Sequence, residues 1–194
     1  ENNLANGKDS NIKTKVDEFY NKYIVANNLQ NYLVDSGFCG DRSITNSGDG
    51  YSTTSYTEYG EVNRLVKTNK APVLTCPDKE HDLYTVDSTK GNGALTNPIG
   101  LMTADEAAMA GMANDYLNTL SYVYTGTWYW TMSPYNFDPS VSASRVWRVY
   151  GTGNFGYDQV ISGHGVRPVI NLKSDVEISD GIGTINDPFI IKTN

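Results

Sequence analysis

A chain of 194 residues with 39% hydrophobic residues is long enough to bury a sizeable core, which excludes disorder as the starting expectation. A formal net charge of -7 argues against nucleic acid or an anionic membrane as partner, because a phosphate-binding surface needs clustered Lys and Arg. Only 19% of the residues are charged while Gly numbers 18 and Tyr 14, so hydroxyls, amides and phenols dominate, a balance common in secreted binding proteins.

The opening Glu1-Asn2-Asn3 carries no signal-peptide pattern, and the natural chain is expected to continue upstream. Ile12, Val16, Phe19, Tyr20, Tyr23 and Ile24 recur at helical spacing, which predicts an amphipathic helix from Ser10 to about Asn27 capped by Asp9 or Ser10. Over 28–97 the pattern dissolves into short pieces punctuated by Gly, Asn, Ser and Pro, with Ser47-Gly48-Asp49-Gly50 the plainest turn. Thr103-Ala104-Asp105-Glu106 has capping-box form and predicts a second, shorter helix to Met112. Trp128-Tyr129-Trp130-Thr131-Met132 reads as a strand, mostly core, closed by Pro134. Arg145 to Tyr150 alternates, placing Val146, Arg148 and Tyr150 on one face and Arg145, Trp147 and Val149 on the other. Val166 to Leu172 is a further strand with Pro168 suited to an edge or end, and Val176 to Ile191 reads as a hairpin with Gly turns. Without repeats or a linker, residues 1–194 are expected to form a single α+β domain. No run approaches the ~18 apolar residues of a membrane span, so no membrane insertion by this segment is expected.

Cys39 and Cys76 are the only cysteines, and each is flanked by loop-type residues. A disulfide between them fits an oxidising compartment. The alternatives are two buried free thiols, or a zinc site with His81 that lacks a convincing fourth ligand.

The order Trp130-Thr131-Met132-Ser133-Pro134, the Val146-Trp147-Arg148-Val149 strand, the turn Gly151-Thr152-Gly153-Asn154 and Gly165-Val166-Arg167-Pro168-Val169 resembles lectin-like domains of bacterial surface proteins. Ser10 to Lys13 with Val16-Asp17, Phe38 to Ser43, and Pro98 to Glu106 resemble a narrower, uncharacterised family of surface and pilin-tethered domains in gut Firmicutes. Together these stretches touch nearly the whole chain. The resemblance implies a C-type lectin-like fold: a long N-terminal amphipathic helix, a second short helix and a twisted, mainly antiparallel sheet with long loops. It also implies an extracellular or cell-surface location. It brings no established reaction.

Nucleophilic hydrolysis would need a placed His and an acid, and the chain offers only His81 and His164 with no Gly-x-Ser-x-Gly elbow. A carbohydrate-active or protein-modifying enzyme would require a deep pocket holding two convergent acids or a thiol pair. Asp41 and Arg42 are expected to fix a loop, Asp105 and Glu106 to cap a helix, and Arg167 to be satisfied by buried carbonyls. The residues expected to meet a ligand are Tyr135, Asn136, Asn154, Phe155, Tyr157 and Asp158, read as aromatic and polar loop residues, with Arg148 on the strand between. The oxygen-rich runs Asn46 to Gly50 and Asp180 to Asp187 lack calcium-loop spacing, so neither an obligatory metal nor a cofactor is expected. The expected function is non-catalytic recognition of a glycan or protein ligand at the bacterial surface, adhesion included. A structural or pilus-associated subunit and an enzyme are the alternatives, and the oligomeric state stays open.

Overall fold

In the computed structural model, which describes residues 2–3, 8–45, 48, 50, 54–67, 70–184 and 186–193, the first elements are a short antiparallel pair, β1 (Asn2–Asn3) and β2 (Lys8–Asp9). Helix α1 (Asn11–Tyr23) follows, with the Ser10 hydroxyl accepting from the Lys13 N–H at 3.1 Å as its N-cap. A 3₁₀ turn (Val25–Asn27) continues it, and Asn28 in the left-handed region (φ 56°) ends it. Val16, Tyr20 and Ile24 are buried, whereas Phe19 and Tyr23 stay outside and pack on each other at 4.6 Å. Lys13 is buried too: its ammonium donates to Asp17 at 2.7 Å and to Thr96 at 3.0 Å, pinning the helix to a distant loop.

The central sheet is antiparallel, in the order β4 (Thr57–Glu58), β7 (Tyr129–Asp138), β8 (Ala143–Val149), β9 (Phe155–Gln159). Around it lie three antiparallel pairs: β3 (Phe38–Cys39) with β5 (Leu83–Tyr84), β6 (Ile99–Leu101) with β10 (Pro168–Ile170), and β11 (Ile178–Asp180) with β12 (Ile190–Ile191). A short helix α2 (Gly60–Val62) runs into a π-helical turn (Asn63–Lys67), and α3 (Ala104–Met109) precedes the long loop to β7. The architecture is α+β with mainly antiparallel sheets.

Period-two alternation gives the central sheet two covered faces. On one, Trp130 and Met132 meet Val16 and Tyr20 of α1 and Ile24 at its end, together with Phe38, Tyr84, Ile99 and Leu101. On the other, Tyr129, Trp147, Val149 and Phe155 meet Val62, Leu65, Ala104, Ala107, Met112 and Val123. Trp147 is fully buried and stacks on Phe155 at 4.8 Å. Residues from both halves of the chain thus pack on the same sheet.

Cys39 and Cys76 form the disulfide, with Cα atoms 5.5 Å apart, so neither free thiols nor a zinc site with His81 describes them. His81 instead pairs with Asp78 at 2.9 Å. Pro134 does not close the aromatic strand as the sequence suggests. β7 runs on to Asp138, and its pairing with β8 shifts register on both sides of Pro134, an irregularity that tolerates a residue without an N–H. The predicted strand from Val166 shortens to Pro168–Ile170, with Pro168 as its first residue, and α3 stops at Met109, short of Met112. Asn46, Ser47, Asp49 and Ile185, which belong to the turn and oxygen-rich runs noted above, lie outside the described residues. Among the described residues, no helix is long and apolar enough to cross a membrane.

The capping box of α3 is complete: Glu106 N–H donates to the Thr103 hydroxyl at 3.1 Å and Thr103 N–H donates to the Glu106 carboxylate at 2.7 Å. Thr103→Ala is expected to lower stability by about 1 kcal/mol in urea unfolding. An unchanged midpoint would contradict that role.

Candidate functional site

Alternation along β8 sends Trp147 into the second core and Arg148 to the opposite face, across from Gly156 of β9. The Arg148 guanidinium lies 4.2 Å from the Trp128 ring centre and 4.0 Å from that of Tyr150, a double cation–π clamp. Its NH1 is 2.8 Å from the Asp158 carboxylate and 2.6 Å from Nε2 of His164. The same Nε2 is 2.9 Å from Asp158, so a neutral imidazole can accept from Arg148 while a protonated one donates to Asp158. The His164 ring packs 4.6 Å from Trp130 and 5.5 Å from Trp128. Burial opposes ionisation of Asp158, but the His164 ring, the Gln159 N–H and the Arg148 charge outweigh it and hold the carboxyl below its ordinary range. A Cβ at Gly151 would stand 2.6 Å from the Trp128 ring, so the indole requires bare backbone there. Trp128 remains 42% exposed, a fixed aromatic surface on which a sugar face or another ring can stack.

The other residues expected to meet a ligand are divided by the sheet. Tyr157, 40% exposed, shares the face of Trp147 and stacks on Tyr135 at 4.0 Å, with the Arg145 guanidinium 5.6 Å from its ring. Tyr135 meets Trp147 edge-on at 4.8 Å, and burial followed by the neighbouring Tyr157 pushes its phenol far above the usual range. Asn136 is buried within β7, donating to the Tyr56 hydroxyl at 2.8 Å and accepting from Arg145 at 3.2 Å. Asn154 closes the β8–β9 turn, accepting from the Thr152 hydroxyl at 2.9 Å and from the Tyr150 N–H. Phe155 is a core residue, 1% exposed. Reading Tyr135 and Asn136 as loop residues is corrected by the continuation of β7, and Phe155, Tyr157 and Asp158 by their place in β9, paired with Val149, Trp147 and Val146. Arg148 and Asp158 share one face with Trp128, Tyr150 and His164; Tyr135 and Tyr157 belong to the other.

A second polar group is buried between α2, α3 and the turn after β3. Arg64 donates through Nε to Asp105 at 2.8 Å, and through NH2 to Asp41 at 2.6 Å and again to Asp105. Asp105 also accepts from the Val73 N–H at 3.0 Å, and Asp41 accepts from the Ser43 hydroxyl at 2.5 Å. Glu61 is 1% exposed; the Arg64 guanidinium is 3.8 Å away, and neither carboxylate oxygen has a partner at full hydrogen-bonding geometry, although the Ser133 hydroxyl and the Glu61 N–H are near enough to favour its charged form weakly. Burial first, then the charge of Asp41, push its carboxyl well above the ordinary range. A Cβ at Gly60 would come within 2.8 Å of Asp41, so this helix start requires glycine to approach the group. A cleft of about 180 Å³ opens onto it, bordered by Cys39, Val73 and Leu74. Asp105 and Glu106 both stand in the first turn of α3 as expected; Glu106 closes the capping box with Thr103, while the Asp105 carboxylate is taken up by Arg64 and the Val73 N–H. Asp41 fixes its loop through Ser43 as expected, Arg42 pairs with Asp82 at 2.6 Å, and Arg167 donates to the buried Val123 carbonyl at 2.8 Å.

Residues 43–174 match the family described as "Domain of unknown function (DUF6273)". The chain belongs to that family. No curated protein and no solved structure matches it. The DUF6273 region contains Glu61, Arg64, Asp105 and the whole Trp128–Arg148–His164 cluster, while α1, Cys39 and Asp41 precede it.

Glu61 and Arg64 escaped sequence reading because Gly60-Glu61-Val62-Asn63-Arg64-Leu65 sits in a stretch broken into short pieces by Gly, Asn, Ser and Pro. The available signal was Glu and Arg three apart among Val62, Leu65 and Val66, a charged pair on an otherwise apolar turn. Since the folded carboxyl of Glu61 holds its proton above the ordinary value of 4.5, stability should fall as pH rises from there through the raised folded value. Glu61→Gln removes that titration. In metal-free buffer its stability is expected to vary less with pH above 4.5 than that of the wild type, measured by urea unfolding from about pH 4.5 to 8. Parallel curves would contradict the burial of an ionisable Glu61.

Proposed function

We propose that this domain is an extracellular, non-catalytic recognition module of C-type lectin-like fold, binding a glycan or protein ligand at the bacterial surface through the Trp128 face. The α+β architecture with a leading helix, an antiparallel sheet and long loops supports the fold. The disulfide is compatible with an oxidising, extracellular setting. The observation that carries the reading is the Arg148 clamp. It immobilises Trp128 and Tyr150 by cation–π contact and spends its own charge on Asp158, so a half-exposed ring stands fixed before any ligand arrives. A surface ordered in advance loses less entropy on binding. Stacking on a neutral sugar face needs such a ring and no net charge.

The buried acids fit catalysis less well. Donor atoms of Asp41, Glu61 and Asp105 all lie within 4.8 Å of one another, below the roughly 5–5.5 Å and 6.5–9.5 Å separations of retaining and inverting glycosidases. Their cleft of about 180 Å³ is also smaller than the roughly 300–1,000 Å³ of small-molecule sites. A second reading, an assembly or pilus-associated subunit, is favoured by the exposure of Leu117, Leu120 and Tyr122 in the loop before β7.

Trp128→Ala, with Tyr157→Ala as a control on the opposite face, separates these surfaces on a glycan array and by tryptophan fluorescence titration. The expected result is a loss of about tenfold or more in affinity for Trp128→Ala, the scale of one lost aromatic stacking contact, and little change for Tyr157→Ala. Equal binding by both variants, or no saturable ligand for the wild type, counts against recognition through this face.

A further inference from the structure

One guanidinium faces three carboxyl groups in the group around Arg64. A carboxylate has about four lone-pair sites, and their use here can be followed atom by atom. Oδ1 of Asp41 accepts from the Ser43 N–H and hydroxyl, and Oδ1 of Asp105 accepts from Arg64 and the Val73 N–H. Oδ2 of each takes a single bond, from the Arg64 NH2 that lies between them. Both oxygens of Glu61 take none, although the side chain is 1% exposed and borders the cleft. Four carboxylate oxygens from three residues thus retain coordinating capacity, and one oxygen from each residue lies within 4.8 Å of the other two, against a single guanidinium.

We infer that Glu61, Asp41 and Asp105 form a site for one calcium ion, with Glu61 contributing both free oxygens and water from the cleft completing the shell. Oxygen donors without nitrogen or sulfur select a hard cation. One donor oxygen from each acid lies within 4.8 Å of the other two, and calcium at roughly 2.3–2.6 Å from each ligand spans about 5 Å between opposite oxygens. Magnesium, with shorter bonds and near-ideal octahedral geometry, fits this spread less well. A divalent ion also cancels the excess of two negative charges that Arg64 leaves when all three acids are ionised. The cleft of about 180 Å³ has room for an ion and its waters. This site is separate from the Trp128 face and does not depend on ligand recognition there.

Calorimetric titration of the chelator-stripped wild-type chain with calcium chloride at neutral pH tests the inference, repeated on Glu61→Gln, which keeps the side-chain shape and removes the charge. Binding of one ion is expected, with a dissociation constant on the order of 10⁻⁴–10⁻³ M, as in extracellular modules, and at least about tenfold weaker in the variant. Should Glu61→Gln fail to fold by near-ultraviolet circular dichroism, Asp41→Asn takes its place with the same expectation. No saturable calcium binding by the wild type up to about 10 mM overturns the site, as does binding that the variant leaves unchanged or saturation by magnesium but not calcium.

Discussion

Arg64 draws together parts of the chain that have little regular structure of their own. Through Asp41 it holds the turn that follows β3; through Asp105 it holds the start of α3; and through the Val73 N–H on Asp105 it fixes the segment leading to Cys76. Its backbone carbonyl also accepts from the Ala71 N–H at 3.2 Å. Buried ion pairs add little net stability against a well-packed apolar replacement, but removing one partner strands the others, at roughly 3–5 kcal/mol. The guanidinium therefore decides how the loop-rich first half is arranged, even where its net energy is small. The disulfide fastens the same region, joining β3 to the far end of the segment that Asp105 holds.

The sheet behind this hub supplies the rigidity. Trp147 and Phe155 fix one face, while Trp130 and Met132 fix the other against α1. Arg148 lies one residue beyond Trp147, so alternation turns it to the opposite face, where it is buried against Trp128, Tyr150 and His164. The clamp that holds Trp128 and the core packing thus come from neighbouring positions of one strand.

Much of this was legible in the sequence where periodicity is strong and local. The cap at Ser10, the stop near Asn27, the capping box at Thr103 and the alternation from Arg145 to Tyr150 are all short-range signals. What the sequence hid was set by pairing between distant strands. Pro134 looked like an end because the register shifts that accommodate it depend on β8. Tyr135 and Tyr157 looked like neighbours of Arg148 because only the register with Trp147 assigns them to the other face. The acids around Arg64 come from positions 41, 61 and 105, and no local pattern announces such a meeting.

Hydrogen–deuterium exchange on Arg64→Lys, which keeps the charge but loses the forked geometry, tests whether this hub organises the first half of the chain. Faster exchange is predicted at the amides of 38–43, 71–76 and 103–109, with β7, β8 and β9 as protected as in the wild type. Protection unchanged in those three segments, or lost evenly across the central sheet, would contradict it.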